Sequence, residues 1–571
     1  MNSERLLTYY DTIAEAPDAI GSMRQFVLKL AVRGKLVKQD SNDEPASELL
    51  KLMSQEKTRL TELGEIRGLK LSSLPNDADP PYSLPRNWAW IRLCDIGRLA
   101  GGMTPSMSRA EFWNGDIVWL SPKDIKSDEV SDSEMKITAR GLSETRLELY
   151  PKGSLFMVAR SGILKRTFPV SVNRVAAAAN QDMKVLTPFL EGQERYLQIM
   201  FKGMTEFILE HLVKTGTTVQ SLKYEEFEQQ RFPIPPLAEQ TRIVSKVDEL
   251  MSLCDNLESS RANLETTRDR LAASSLGRLN RPNRKTFPDD ALFVLNALPA
   301  LTKRSDQVNP FRQVILNLAV QGKLVPQDRR DEPTPLAVPR SFSAASAMDE
   351  AVFQEFRKLI FCPAVWSIAP LSLVTERIVD CPHTTPKWTA TGEICVRTNQ
   401  LRARKLDLSK SRFVSEQTYI QRIERLEPQV DDILYSREGG ILGAACRIPP
   451  AVRLCLGQRL MLIRTGGLVR ADYLEIVLNS PFITNIALLK TTGGAAPRVN
   501  MSTVRAYPIP IPPLAEQVRI VARVDDLTTI CDQLEANLII GQQMQTRLLK
   551  ALLREALESA DDEANPARTA A

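Results

Sequence analysis

At 571 residues the chain exceeds what one hydrophobic core organises, so several domains are expected. Its 43% hydrophobic and 25% charged residues suit a globular protein, no stretch approaches the roughly 18 apolar residues that span a bilayer, and residues 1–10 lack a signal-peptide core, so a cytoplasmic protein with no membrane association is expected. A mild net charge of +5 and only two histidines, His211 and His383, leave histidine-based acid–base or metal chemistry short of its usual parts.

Residues 1–83 read as an N-terminal helical region. Phe26, Val27, Leu30 and Ala31 recur at helical spacing, and Gly34 is placed to end that helix in a left-handed cap. Residues 46–63 are again helical, with charges on a solvated face. Residues 84–235 carry short β-like runs, such as Asp116-Ile117-Val118-Trp119-Leu120 and Ser154-Leu155-Phe156-Met157-Val158, and a helix expected over 194–212. They read as a first α+β globular domain. Pro235-Pro236-Leu237-Ala238-Glu239-Gln240 then opens a long helix over 236–280 in which Ile243, Leu250, Leu257, Leu264 and Leu271 recur every seven residues, with Val247 and Cys254 between them. That spacing predicts a helix–helix seam.

Then the pattern repeats. Residues 281–361 form a linker and a second helical region, in which Arg24-Gln25-Phe26-Val27-Leu28 returns as Arg312-Gln313-Val314-Ile315-Leu316. Residues 362–511 form a second α+β domain, with strand-like runs at Glu393-Ile394-Cys395-Val396 and Ile433-Leu434-Tyr435 and a helix expected over 472–489. Pro512-Pro513-Leu514-Ala515-Glu516-Gln517 opens a second long helix over 512–558, whose seam is Ile520, Val524, Leu527, Leu534, Leu538 and Leu548, with Gly541 at one seam position. A tail over 559–571 is expected to be disordered. Pro235 and Pro512 stand 277 residues apart, and the same register pairs Gly115 with Gly392, Arg160 with Arg437, Thr215 with Thr492 and Cys254 with Cys531. A module carried twice is suited to touching two similar things at a fixed separation. The alternative is a compact protein in which both long helices are ordinary core helices.

Several chemistries lack their parts. There is no phosphate-binding Gly-x-x-x-x-Gly-Lys-Ser/Thr loop, and no Asn-Pro-Pro-aromatic element of amino-methyltransferases. Gly439-Gly440-Ile441-Leu442-Gly443 lacks the strand, helix and distal acid of a dinucleotide site and predicts a tight turn. Asp182-Met183-Lys184 has a nuclease-like spacing that arises by chance. Eight cysteines without a Cys-x-x-Cys spacing fit reduced thiols, and Cys381-Pro382-His383, matched by Thr104-Pro105-Ser106 in the first half, fits packing better than a metal site.

Taken together, the two Pro-Pro-Leu-Ala-Glu-Gln helices, the Gly34-Lys35-Leu36-Val37 and Gly322-Lys323-Leu324-Val325 segments, Pro85-Arg86-Asn87-Trp88 and Asp432-Ile433-Leu434-Tyr435-Ser436-Arg437-Glu438-Gly439 resemble the specificity subunit of type I restriction-modification systems. The resemblance covers nearly the whole chain. It implies an α+β fold with two target recognition domains separated by a long antiparallel two-helix coiled-coil spacer, and an internal pseudo-two-fold repeat. It further implies a non-catalytic subunit that binds a bipartite double-stranded DNA target. Modification (methyltransferase) and restriction (ATP-dependent translocase and endonuclease) subunits would dock on it, and S-adenosylmethionine, ATP and Mg would enter only through them. The N-terminal copy of the Arg-Gln helix departs from the commonest family layout.

Bases are read by small or planar polar side chains, with cations nearby to hold phosphates. The first domain offers Thr104, Ser106 and Arg109 in a Gly-led loop, Lys123, Arg160 with Ser161 in a turn, and Thr215, Thr217, Thr218 and Lys223. The second offers Arg397, Asn399 and Gln400, then Arg437, Gln458 and Arg459, then Thr491, Thr492 and Arg498. Residues 362–511 hold 19 Lys+Arg against 12 Asp+Glu, and fifteen of those cations are Arg, the side chain suited to forked contacts with phosphate and guanine. Two other readings stay open at this point: a fused or fragmentary restriction-modification enzyme, and a protein-binding coiled-coil scaffold.

Overall fold

The computed structural model describes residues 9–66, 81–145, 147–216, 219–280, 286–332, 347–492 and 497–563. They fall into two units, Met1–Asn263 with Gln542–Ala571, and Leu264–Gly541.

In the first unit a five-stranded sheet runs in the order Gly97–Gly101, Met183–Pro188, Leu155–Val158, Val170–Asn173, Glu129–Val130. Its central strand is apolar at every position because both faces are covered. Successive side chains point to opposite faces. Leu155 and Met157 therefore join a core built with the helices, including Phe201 and Leu28, while Phe156 and Val158 join a second core with Val118, Leu120, Ala177 and Ala179 of a smaller three-stranded sheet. The second unit repeats the scheme. There Ile433 and Tyr435 face helices while Leu434 faces Val396, Leu454 and Leu456. Each domain is thus a sheet with helices on one face and a small mixed sheet on the other.

The repeated segments meet where each domain closes. Ala89–Arg92 pairs antiparallel with Arg231–Ile234, and Ser367–Pro370 with Pro508–Ile511, in two-stranded ribbons that tolerate proline. Helix α1 (Ala19–Val32) ends at Gly34, whose φ of +66° favours glycine and whose added Cβ would sit 2.5 Å from Pro85 Cγ. Gly322 repeats this with φ +64° against Pro363. Just beyond each ribbon a long helix begins, α2 (Leu237–Asn280) and, after α3 (Asn309–Val320) of the second helical region, α4 (Leu514–Glu563).

The Glu of each Pro-Pro-Leu-Ala-Glu-Gln string locks helix to domain. Trp88 Nε1 donates to Glu239 Oε2 at 3.0 Å and Gln39 Nε2 to Oε1 at 2.6 Å; Trp366 and Gln327 do the same to Glu516, at 2.9 and 2.5 Å. The following Gln folds back, Gln240 onto Pro235 O and Gln517 onto Pro512 O, and Arg242–Asp43 and Arg519–Asp331 ion pairs stand beside them.

With 44 and 50 residues the two helices are about 66 and 75 Å long. Each passes from one unit into the other, so each unit holds the beginning of one and the end of the other. In the first unit, Arg24 of α1 bridges Asp255 and Glu258 of α2, and Ile13, Ala16 and Ala19 pack on Leu549 and Leu552 of α4. In the second, Arg312 of α3 bridges Asp532 and Glu535 of α4, and Val314 packs with Leu276 and Leu279 of α2.

Three expectations change. The expected seam is divided: Ile243 and Val247 belong to the core of the first domain, with Leu250 packed against it, and Ile520 and Val524 to that of the second. Leu257, Leu264 and Leu271 stay about half exposed, and Leu527, Leu534 and Leu538 are only partly buried, while Leu548 packs beside Leu549 against the N-terminal residues. The first turns of each helix are used by its own domain, so the heptad continues past the point where it is covered. The helix expected over 194–212 is two, Glu194–Gly203 and Thr205–His211, and that over 472–489 is Ala471–Leu478 and Pro481–Leu489, restarted by Ser480 capping ahead of Pro481. Helix α4 runs through Glu563, into the stretch expected to be disordered, and residues 564–571 lie outside the described residues. Among the described residues no helix is long and apolar enough to cross a membrane.

Candidate DNA-recognition surface

In the first domain the small sheet supports an open cleft of about 660 Å³ that brings Lys123, Arg160 and Ser161 together with Gln181 and Asp182. Arg160 and Ser161 form a short strand against Gln220–Leu222, held at its base by Asp182 O, which accepts from the backbone N–H of Ala159 and Arg160. Arg160 and Lys123 are exposed, and among the described residues neither has a carboxylate partner. The Gly-led loop forms one border. Gly102 passes so close to the neighbouring strand that a Cβ would lie 2.1 Å from Asn180 O. Trp119 Nε1 donates to Met103 O and Trp113 Nε1 to Ser106 O, with the two indoles edge to face at 5.1 Å, so the loop is held rigidly from beneath. Thr104 bonds Gln181, and Ser106 bonds Ser108 at its exposed tip.

The second domain builds the same corner with other contacts. Gln458, in register with Gln181, donates to His383 O at 2.7 Å and Thr385 Oγ1 at 3.2 Å. The loop carbonyls are anchored from below by buried Arg422, which donates to Pro382 O, Thr384 O and Leu456 O. Arg397 and Arg412 lie over the Trp388 ring at 6.0 and 5.3 Å, an aromatic–cation surface beside exposed Asn399. Arg459 and Arg498 are exposed. Arg498 sits in a hairpin with Thr491–Thr492 that meets the Glu438 strand end.

Several expected contacts prove to be structural. Arg437 is 5% exposed: its Nε and Nη2 clasp Asp380 at 3.2 and 2.5 Å and its Nη1 reaches Val499 O. Its guanidinium is used inside the domain, whereas Arg160 at the equivalent place is exposed and has no carboxylate partner among the described residues. Gln400 is 4% exposed and bonds Arg397 N, Asp407 O and Ser411 Oγ, closing its own turn. Arg109 is neutralised by Glu111 and Glu144 and stacked on Phe112 at 4.0 Å. Lys223 turns to His211 O and Glu226. Thr491 Oγ1 donates to Leu488 O at the end of the preceding helix, Thr492 bonds Arg498 O, and Thr215 is exposed. Thr217 and Thr218 lie outside the described residues. Sequence reasoning missed Gln181 and the two tryptophans and set Asp182 aside as a chance spacing; the 277-residue register, carried back from Gln458, points to Gln181.

The type I restriction modification DNA specificity domain profile matches residues 85–266 and 416–541, more than half of the chain. The chain belongs to the type I restriction-modification specificity family. It is a specificity subunit of such a system, is not itself an enzyme and binds no cofactor of its own. The Escherichia coli EcoEI specificity subunit is 26% identical over 575 residues, 94% of both chains, and the E. coli EcoAI specificity subunit is 26% identical over 579 residues, again 94% of both. The crystal structure of the HsdS subunit from Thermoanaerobacter tengcongensis aligns with 84% of this chain and 98% of its own, at 17% identity and a TM-score of 0.37. In this specificity subunit the two corners described above belong to its two target recognition domains, joined by α2 and α4.

Proposed function

We propose that each target recognition domain reads one half of a bipartite double-stranded DNA target, the first through the cleft of Lys123, Arg160 and Ser161 with the Thr104–Ser106 loop, the second through Arg397, Asn399, Arg459 and Arg498. The observation that carries this reading is the pair of matched corners, each a loop pinned by a register-equivalent glutamine and bordered by exposed cations, Lys123 and Arg160 in the first and Arg459 and Arg498 in the second. Cations hold phosphate, and side chains on fixed loops read base edges. Lys123→Ala with Arg160→Ala should weaken binding to specific and random duplexes. Where these cations meet phosphate, the salt dependence should also fall by about one unit of log–log slope for each phosphate no longer neutralised. Binding by the unaltered chain that does not change with salt would refute the reading.

The same reading gives the long helices the docking of methyltransferase subunits, which bring S-adenosylmethionine, and of ATP- and Mg-dependent restriction subunits. Exposed apolar residues recur in register near the start of both helices, Leu237 with Leu514 and Leu253 with Ile530, each about half exposed. Two matched patches suit two copies of one partner. Leu253→Asp with Ile530→Asp should abolish co-purification with methyltransferase subunits at unchanged Tm; full recovery of the complex would remove this surface from the docking site.

A further inference from the structure

At one position the two corners carry opposite charge. Asp182 and Arg459 occupy the same place in the 277-residue register, each directly after the glutamine that ties the recognition loop. Asp182 lines the first cleft beside Lys123 and Arg160, and among the described residues its carboxylate has no cation partner. A carboxylate in a cleft that accommodated only phosphate would oppose the ligand, and the two cations beside it would be wasted on neutralising it. Its chemistry fits a different part of DNA, the exocyclic amine of a base edge, since an ionised carboxylate only accepts. Asp182 is also rigidly placed, because its carbonyl is held by the N–H groups of Ala159 and Arg160 at 2.8 and 3.1 Å.

Arg459 is the converse. It is exposed, its nearest carboxylate is Glu438 at 3.8 Å, and its backbone lies at φ +71°, a left-handed conformation that non-glycine residues hold mainly where function or packing imposes it. The neighbouring Arg437, the counterpart of Arg160, is already engaged with Asp380. The Arg459 guanidinium, half exposed and with Glu438 only at the edge of ion-pair distance, is thus left accessible to a ligand in the second domain.

We propose that positions 182 and 459 set base preference in the two half-sites: Asp182 accepts from an exocyclic amine, cytosine N4 or adenine N6, in one half, and Arg459 donates to N7 and O6 of a guanine in the other. This rests on the DNA-reading function proposed above. The full chain and its Asp182→Asn, Asp182→Ala, Arg459→Lys and Arg459→Ala variants are to be selected against a duplex library randomised in both halves and in the gap. The Asp182 variants should lose discrimination about ten- to hundredfold at one base pair of one half only, and the Arg459 variants at one guanine of the other half only. Both residues are at the surface, and the Asn and Lys variants keep shape, so the proteins should fold as the parent does. Unaltered base preferences with salt-dependent binding retained, or losses by both sets in the same half, overturn this inference alone. A parent chain that enriches no sequence overturns both it and the reading beneath it.

Discussion

Arg437→Ala is expected to destabilise the second recognition domain by about 3–5 kcal/mol, the cost of leaving one member of a buried ion pair uncompensated. The guanidinium makes two bonds to Asp380 and one to Val499 O, so its removal strands a carboxylate that is itself only 14% exposed and a backbone carbonyl of the hairpin that carries Arg498. His383 lies 3.2 Å from the same carboxylate and is exposed, too weak a substitute for a forked partner. Asp380→Asn introduced into the alanine variant should recover much of the loss, since the stranded charge is then absent. Arg160→Ala, the same substitution at the equivalent position, should change stability by no more than about 0.5 kcal/mol because that side chain is exposed and has no carboxylate partner among the described residues. Urea unfolding of the three variants measures this. An Arg437→Ala protein as stable as the parent but impaired in DNA binding would show that the guanidinium serves the DNA after all.

Trp366→Ala should cost about 3–5 kcal/mol through lost packing alone, with the loss of a donor to buried Glu516 added to it. Trp366→Phe separates the two effects. It keeps an aromatic ring near Gly322 but removes the N–H, and should cost about 1–3 kcal/mol. Trp88 and Glu239 predict the same pair of results for the first domain. A phenylalanine variant with the parent's midpoint would mean that the hydrogen bond contributes nothing. The carboxylates add a pH signature. Burial pushes both Glu239 and Glu516 above the ordinary value of 4.5, opposed by the bonds from Trp88 and Gln39 and from Trp366 and Gln327. The folded state therefore holds these protons more tightly than the unfolded one. Their contribution to stability is fully present below 4.5 and is lost as pH rises through the raised values. Glutamine at both sites is neutral throughout, so the Tm of the Glu239→Gln, Glu516→Gln protein should gain on that of the parent as pH rises from 4.5 to neutrality. A constant difference between the two curves would contradict the assignment.

Local pattern carried much of this architecture. The repeat, the two long helices and the central strands follow from strings whose periodicity is decided within a few residues. What the sequence concealed are relations across distance. Nothing near Glu239 announces that it waits for an indole 151 residues upstream, although the duplication of both partners records the pairing. Arg437 reads as a DNA contact because a strand, a cation and a glycine follow in order; Asp380, 57 residues earlier, turns it inward. The strand, arginine and glycine at Arg160 follow in the same order but Met103 stands in register with Asp380, so two arginines in one register have opposite fates. The heptads misled for a related reason. Ile243 and Ile520 repeat every seven residues with the leucines after them, yet the core of the adjoining domain claims them first. A seven-residue period shows that a helix face is apolar, not what covers it.

The crossing of α2 and α4 between units bears on the order in which the molecule can be completed. Ile13, Ala16 and Ala19 are covered by Leu549 and Leu552, which are made more than 500 positions later. Those three residues must therefore remain uncovered on that side while all of the intervening chain is made, whereas Val314 meets Leu276 and Leu279 within a few dozen residues of synthesis.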